Sequence, residues 1–110
     1  MELNEYQKKA LQTAMYDKKY KVIYPALGLG SEAGEVLGGV KKWLNSGDDN
    51  QVITEDCRNR IKSEMGDALW YLAVLAEDLG FSLDEVAVTN ITKLQLRKEK
   101  GALLGDVNKR

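Results

Sequence analysis

The segment SEMGDALWYLAVLA (Ser63 to Ala76) constrains the fold most. Met65, Ala68, Leu69, Trp70, Leu72, Ala73, Val74, Leu75 and Ala76 make it apolar on more than one side. A helix apolar nearly all round is buried nearly all round. At 110 residues the chain is expected to be one domain with a modest core, close to the size at which association helps. Its own helices cover one side of this segment, and another subunit is expected to cover the second. The expected architecture is all-α: a four-helix bundle-like subunit assembling into a helical homo-oligomer, a homodimer or homotetramer.

Four helical segments account for most of the chain. Leu3, Tyr6, Ala10, Leu11, Ala14 and Met15 recur at helical spacing and predict a first helix from about Asn4 to Lys21, with Asn4 as its cap. Pro25 lies in the following break, where an N1 position would suit it. Leu29, Ala33, Val36, Leu37, Val40 and Leu44 predict a second helix from Ala26 to Asn45, and NSGDDN (Asn45 to Asn50) reads as a turn. A third helix begins between Thr54 and Ile61 and stops at Gly80. Ser82 and Glu85 form a capping-box pattern for a fourth helix, which extends to about Lys100 before Gly101. The tail GALLGDVNKR is expected to be extended or flexible.

Sixteen basic and seventeen acidic residues leave a net charge of −1, so neither nucleic acid nor an anionic membrane is an expected partner. MELNEYQKKA lacks the apolar core of a signal peptide, and no apolar run approaches the ~20 residues that span a bilayer. Cys57 is the single cysteine. A soluble protein of the reducing cytoplasm fits these features. The chain has no histidine, which removes Ser-His-Asp and Cys-His catalysis, His-based zinc sites and the Glu-x-x-His element of di-iron bundles. Chemistry must rest on carboxylates, amines, hydroxyls and bound metal.

Carboxylates stand where the core begins. Glu64 and Asp67 open the apolar segment, and GSEAGEV (Gly30 to Val36) carries Glu32 and Glu35. Residues three apart lie on one face of a helix, so each pair can project together beside the apolar stripe. If the second and third helices pack side by side, all four converge. Converging carboxylates repel and raise one another's pKa values; a hard divalent cation, Mg²⁺ with Mn²⁺ as a possible substitute, makes such a site sensible. Magnesium shares substrate phosphates, which points to a polyphosphate. The alternative reading of each ExxE or ExxD is a solvated helix face, and the acids could equally be structural in a non-catalytic, metal-binding helical dimer.

The pattern ExxE, a gap of 28 residues, then ExxD resembles the signature of the MazG-like, all-α nucleoside triphosphate pyrophosphohydrolases. YPALGLGSEAGEV followed by KK, and EMGDALWYLAVLAEDLGFSLDEVAVTNITKLQLRKEKG, are similar to that family from Tyr24 to Gly101, and YQKKALQTA resembles its first helix. The resemblance implies Mg²⁺-dependent hydrolysis of nucleoside triphosphates between the α and β phosphates, by helical homo-oligomers that discard non-standard nucleotides or trim dNTP pools. It places Glu32, Glu35, Glu64 and Asp67 at the metal positions. Asn90, Lys93 and Arg97, in NITKLQLR, match its Asn-x-x-Lys-Leu-x-x-Arg segment, a nucleotide-contacting element.

The residues agree with those roles, because Asn90, Lys93 and Arg97 recur on one helical face and Arg grips phosphate oxygens in a fork. The plainer reading of Lys93 and Arg97 is a solvated helix. Tyr71 shares the acidic column and is expected to bind substrate. Trp43 and Trp70 are candidates to shape a base pocket, although such residues are usually core. Lys109 or Arg110 could reach a phosphate. Where some relatives carry a further acid, this chain has Gly38 and Gly39. Water is expected to attack the α phosphorus with Glu35 as its base. The sister activity, hydrolysis of phosphoribosyl-ATP, is the nearest alternative.

Overall fold

Thr54 opens the longest helix, its Oγ1 accepting from the Cys57 N–H at 3.2 Å, and Gly80 closes it at φ +88°, the left-handed conformation that glycine adopts without a Cβ penalty. In this computed structural model, which describes residues 1–46 and 52–101, that helix (α3, Glu55–Leu79) runs antiparallel to α2 (Ile23–Leu44). The short α1 (Leu3–Leu11) and the long α4 (Leu83–Glu99) pack at the C-terminal end of α3. One 3-10 turn, Lys18–Tyr20, lies between α1 and α2. No strand occurs among the described residues, and none of their helices is long and apolar enough to cross a membrane. The tail from Ala102, with Lys109 and Arg110, and most of the expected turn at 45–50 lie outside the described residues.

The core is small: Ala10, Ala73, Ala76 and Leu83 are buried, with Tyr6 and Trp70 packed against them. Gln7 is buried among them and ties three elements together. Its Nε2 donates to the carbonyls of Ala73 (3.1 Å) and Phe81 (3.3 Å), and its Oε1 accepts from the Leu83 N–H at 3.0 Å. Ser82 and Glu85 complete the expected capping box on α4.

The first helix is shorter than its periodicity predicts. It ends at Leu11 rather than Lys21, because Thr13 Oγ1 donates to the Ala10 carbonyl at 2.7 Å and accepts from Trp70 Nε1 at 2.7 Å. This side chain competes for the carbonyl that helix continuation would use. Met15, placed on the apolar face by spacing, is 92% exposed. Asn4 does not cap α1, whose N-cap is Glu2; its Oδ1 accepts from the Asp84 N–H at 3.1 Å, in the first turn of α4.

The second helix starts at Ile23, three residues before the expected Ala26. Pro25 is therefore its third residue, still in the turn whose N–H groups have no intrahelical partner. Val22 leads into it at φ +68° and ψ −49°, with the Ile23 N–H on the Lys21 carbonyl at 2.7 Å. That is a strained γ-turn. It is held by Asp78, whose Oδ2 accepts from the Val22 N–H at 2.9 Å and from the Tyr16 hydroxyl at 2.5 Å. Burial and Asp78 together push the Tyr16 phenol well above its usual pKa.

Candidate metal centre

Along the α2–α3 pair, three contacts follow in order. Tyr71 lies over Gly28, Glu32 meets Glu64 and Asp67, and Ile61 lies over Gly39. One carboxylate oxygen from each of Glu32, Glu64 and Asp67 falls within 4.8 Å of the other two. Glu32 and Glu64 are half-buried and Asp67 is exposed, so the cluster lies at the surface of the pair with one side sealed.

The sealed side contains an unsatisfied atom. Oε2 of Glu32 is shut off from solvent and has no hydrogen-bond partner. With all three groups ionised, nothing donates to it; a proton shared with Glu64 is one remedy. That sharing is the largest cause raising the Glu32 pKa from 4.5 to about 7, followed by desolvation and by the charges of Glu64, Asp67 and Glu35. A cation bound by the three carboxylates is the other remedy. The donor set is all oxygen, which suits a hard divalent ion, and an orphaned inward oxygen is what such an ion would satisfy. The residues fit the group.

Glu35 follows one turn along α2, exposed and outside this trio, although its charge reaches Glu32. Tyr71 borders the centre as its column implies. Its ring is 6.0 Å from Tyr24 and 5.1 Å, edge-on, from Trp70. Its phenol pKa is raised, first by a hydrogen bond with Tyr24 and then by burial and the nearby Tyr24, Glu32 and Asp67. Tyr24 in turn stacks on Tyr16 at 4.8 Å. Trp70 belongs to the α1 contact, donating to Thr13 and packing on the core.

Asn90, Lys93 and Arg97 sit on α4, apart from these acids. Asn90 and Lys93 line an open groove of about 540 Å³ beside Phe81 and Val86. Lys93 and Arg97 line another, of about 530 Å³, beside Val88 and Leu96. No acid of the trio lines either groove. The α2–α3 pair has cations of its own: Lys42 and Arg60, with Trp43, line a pocket of about 280 Å³ that includes Gly39. Arg60 escaped the sequence reading because nothing in DCRNRIK distinguishes it from a solvated arginine. Gly28 escaped it as well; its signal was the alignment of a glycine one turn before Glu32.

An all-α chain whose two longest helices bring Glu32 of ExxE against Glu64 and Asp67 of ExxD defines a helical protein with an acidic centre fitted to a hard cation. It belongs to the MazG nucleotide pyrophosphohydrolase family, whose domain matches residues 25–102. The chain is also 38% identical, over 116 aligned residues covering all of both chains, to the "Gene 37 protein" of Mycobacterium phage L5. No solved structure matches it.

Proposed function

We propose that the protein is a cytoplasmic, Mg²⁺-dependent enzyme that hydrolyses nucleoside or deoxynucleoside triphosphates to the monophosphate and pyrophosphate. The observation that carries this reading is the orphaned Glu32 oxygen inside a three-carboxylate cluster, in a chain of the nucleotide pyrophosphohydrolase family. Glu32, Glu64 and Asp67 would hold the cation. When bound, it polarises phosphoryl oxygens, lowers the pKa of water and offsets charge on the leaving group.

The chain's own residues do the rest. Glu35, exposed beside the trio, accepts the proton of the attacking water. The water oxygen bonds to the α phosphorus, the bridge to the β phosphorus breaks, and pyrophosphate leaves with the electron pair. Lys42 and Arg60 lie in the pocket that shares Gly39 with the α2–α3 pair and offer donors for phosphate oxygens, with Trp43 as a surface for the base. Asn90, Lys93 and Arg97 contribute from α4, and a second copy of the chain is the means by which an α4 reaches an acidic centre.

The test is incubation with common and deaminated nucleoside triphosphates and with phosphoribosyl-ATP, with and without Mg²⁺, assaying pyrophosphate and orthophosphate separately. Metal-dependent pyrophosphate release is the expected result, and the substrate ranking names the base and sugar. Orthophosphate release would place cleavage at the terminal phosphate and overturn the mechanism. Turnover of phosphoribosyl-ATP alone would move the enzyme to that sister activity.

A further inference from the structure

A Cβ built on Gly28 would lie 2.1 Å from Tyr71 Cε1, and one on Gly39 would lie 2.7 Å from Ile61 Cγ1. Carbon atoms in good contact are ~3.5–4.0 Å apart, so an alanine at either position must part the helices or displace the side chain by about 1 Å. Gly30, Gly34 and Gly38, in the same helix, have nothing within 4 Å of an added Cβ. Two of the five glycines of α2 are therefore points of forced close approach, and they bracket the acids. Gly28 precedes Glu32 by one turn and Gly39 follows it by two. Glycine in a helix interior costs about 1 kcal/mol relative to alanine, so the spacing that these two provide is maintained against the helix's own preference.

We infer that Gly28 and Gly39 are positioning residues of the acidic centre: the seats they give Tyr71 and Ile61 set the separation of α2 and α3 at which Glu32 reaches Glu64 and Asp67. The inference rests on the metal-binding reading above. The upper seat is itself braced. Tyr71 is confined between Tyr24 and Trp70, Tyr24 stacks on Tyr16, and Tyr16 is tied to Asp78 of α3. A Cβ at Gly28 meets three atoms of the half-buried Tyr71 ring at once, so it is relieved either by parting the helices or by swinging the ring off Tyr24 and Trp70. At the lower seat the clashing atom is Cγ1, the first carbon beyond the Ile61 Cβ; with the backbone fixed it moves away only by rotation about χ1, and a β-branched residue in a helix has one strongly preferred χ1 rotamer. Divalent ions tolerate displacements of only a few tenths of an ångström in their oxygen ligands, Mg²⁺ least of all.

The test is Mn²⁺ titration of the full chain, with free Mn²⁺ read by electron paramagnetic resonance and folding by circular dichroism. Gly39→Ala is expected to weaken Mn²⁺ binding at least tenfold, Gly38→Ala to leave it within twofold, and Ile61→Ala in the Gly39→Ala background to restore most of the loss. Should Gly39→Ala fail to fold, Gly28→Ala tests the other seat, with Tyr71→Ala as its relieving partner. A folded Gly39→Ala or Gly28→Ala that binds Mn²⁺ like wild type overturns the inference while leaving the metal reading intact. Equal weakening by Gly38→Ala also overturns it, because helix propensity rather than spacing would then be at work. Wild-type protein that binds no Mn²⁺ overturns the metal reading and this inference with it.

Discussion

Glu32 is the residue whose surroundings say most about the site. Its raised pKa, about 7 against 4.5, is a statement about stability. The folded protein without metal holds this proton more tightly than the unfolded chain, so the contribution is fully present below about pH 4.5 and is lost as pH rises through about 7. The expected outcome is a melting temperature that falls across that window without divalent cation and recovers at its upper end when Mg²⁺ is added. Glu32→Gln should flatten the pH dependence and abolish the response to Mg²⁺; a Mg²⁺ response retained in Glu32→Gln would mean that the ion binds elsewhere. Glu35, and Asp67 through the cation it would help to hold, bear on turnover. Glu35→Gln and Asp67→Asn are expected to fold as wild type and to lose kcat by about 100-fold or more, the scale of a general base or a charge-stabilising group. Steady-state pyrophosphate release checks both, and full activity in either variant would remove its assigned role. The acids were legible because three-residue spacing on a helix has one geometric meaning. That Glu35 stands outside the trio was not, since spacing fixes a face but not the lateral reach of a side chain.

At the level of elements, what could be read depended on whether the determining signal was local. The stop of α3 at Gly80 and the start of α4 at the Ser82–Glu85 box each act within one turn and were readable, whereas the start of α3, expected anywhere between Thr54 and Ile61, is fixed at the early end of that range by the Thr54 cap. The end of α1 is decided by partners far along the chain: Trp70 takes Thr13, and Asp78 takes Tyr16. No window of neighbouring residues contains that information. Gln7 is the sharper example, a polar residue in an ordinary amphipathic pattern that the fold places at the junction of α1, α3 and α4. Gln7→Ala would leave the Phe81 carbonyl and the Leu83 N–H without their side-chain partner in a buried setting, where each unsatisfied group costs ~1–3 kcal/mol. A loss of about 3 kcal/mol in urea unfolding is expected, against about 1 kcal/mol for Ser82→Ala, which removes only a cap. Equal effects from the two would mean that water reaches the junction and replaces the glutamine.

The whole molecule is more open than its length requires. Its radius of gyration is 17.2 Å, where a compact chain of this size has about 13 Å. The α2–α3 pair leaves its outer faces bare. On α3, Met65, Leu69, Leu72 and Leu79 are 36–58% exposed and recur at three-, four- and seven-residue intervals. On α2, Ile23, Leu27, Leu37 and Leu44 are 57–78% exposed on the side turned from α3. Contiguous apolar faces of this kind mark association surfaces. The α3 stripe was foreseeable from a segment apolar on more than one side; the α2 stripe was only half visible, since Leu37 and Leu44 belong to the apolar set that predicts the second helix while Ile23 precedes its expected start and Leu27 falls outside that set. We expect the protein to be a homo-oligomer in solution, with these stripes inside, and expect association to supply the α4 cations that a single chain keeps apart from its acids. Leu27→Lys with Leu37→Lys places two charges on the α2 stripe, clear of the face that carries Glu32 and Glu35. In analytical ultracentrifugation that variant should sediment as a smaller species than wild type. Its helical content should be largely kept, since α2 still packs on α3, while its turnover should fall at least tenfold. In the proposed site the cation is held only by carboxylates of one α2–α3 pair, so Mn²⁺ binding is expected to survive dissociation better than turnover does. A dissociated variant with undiminished turnover would show that one chain suffices for catalysis, and a wild-type monomer would leave the bare stripes for a different protein to cover.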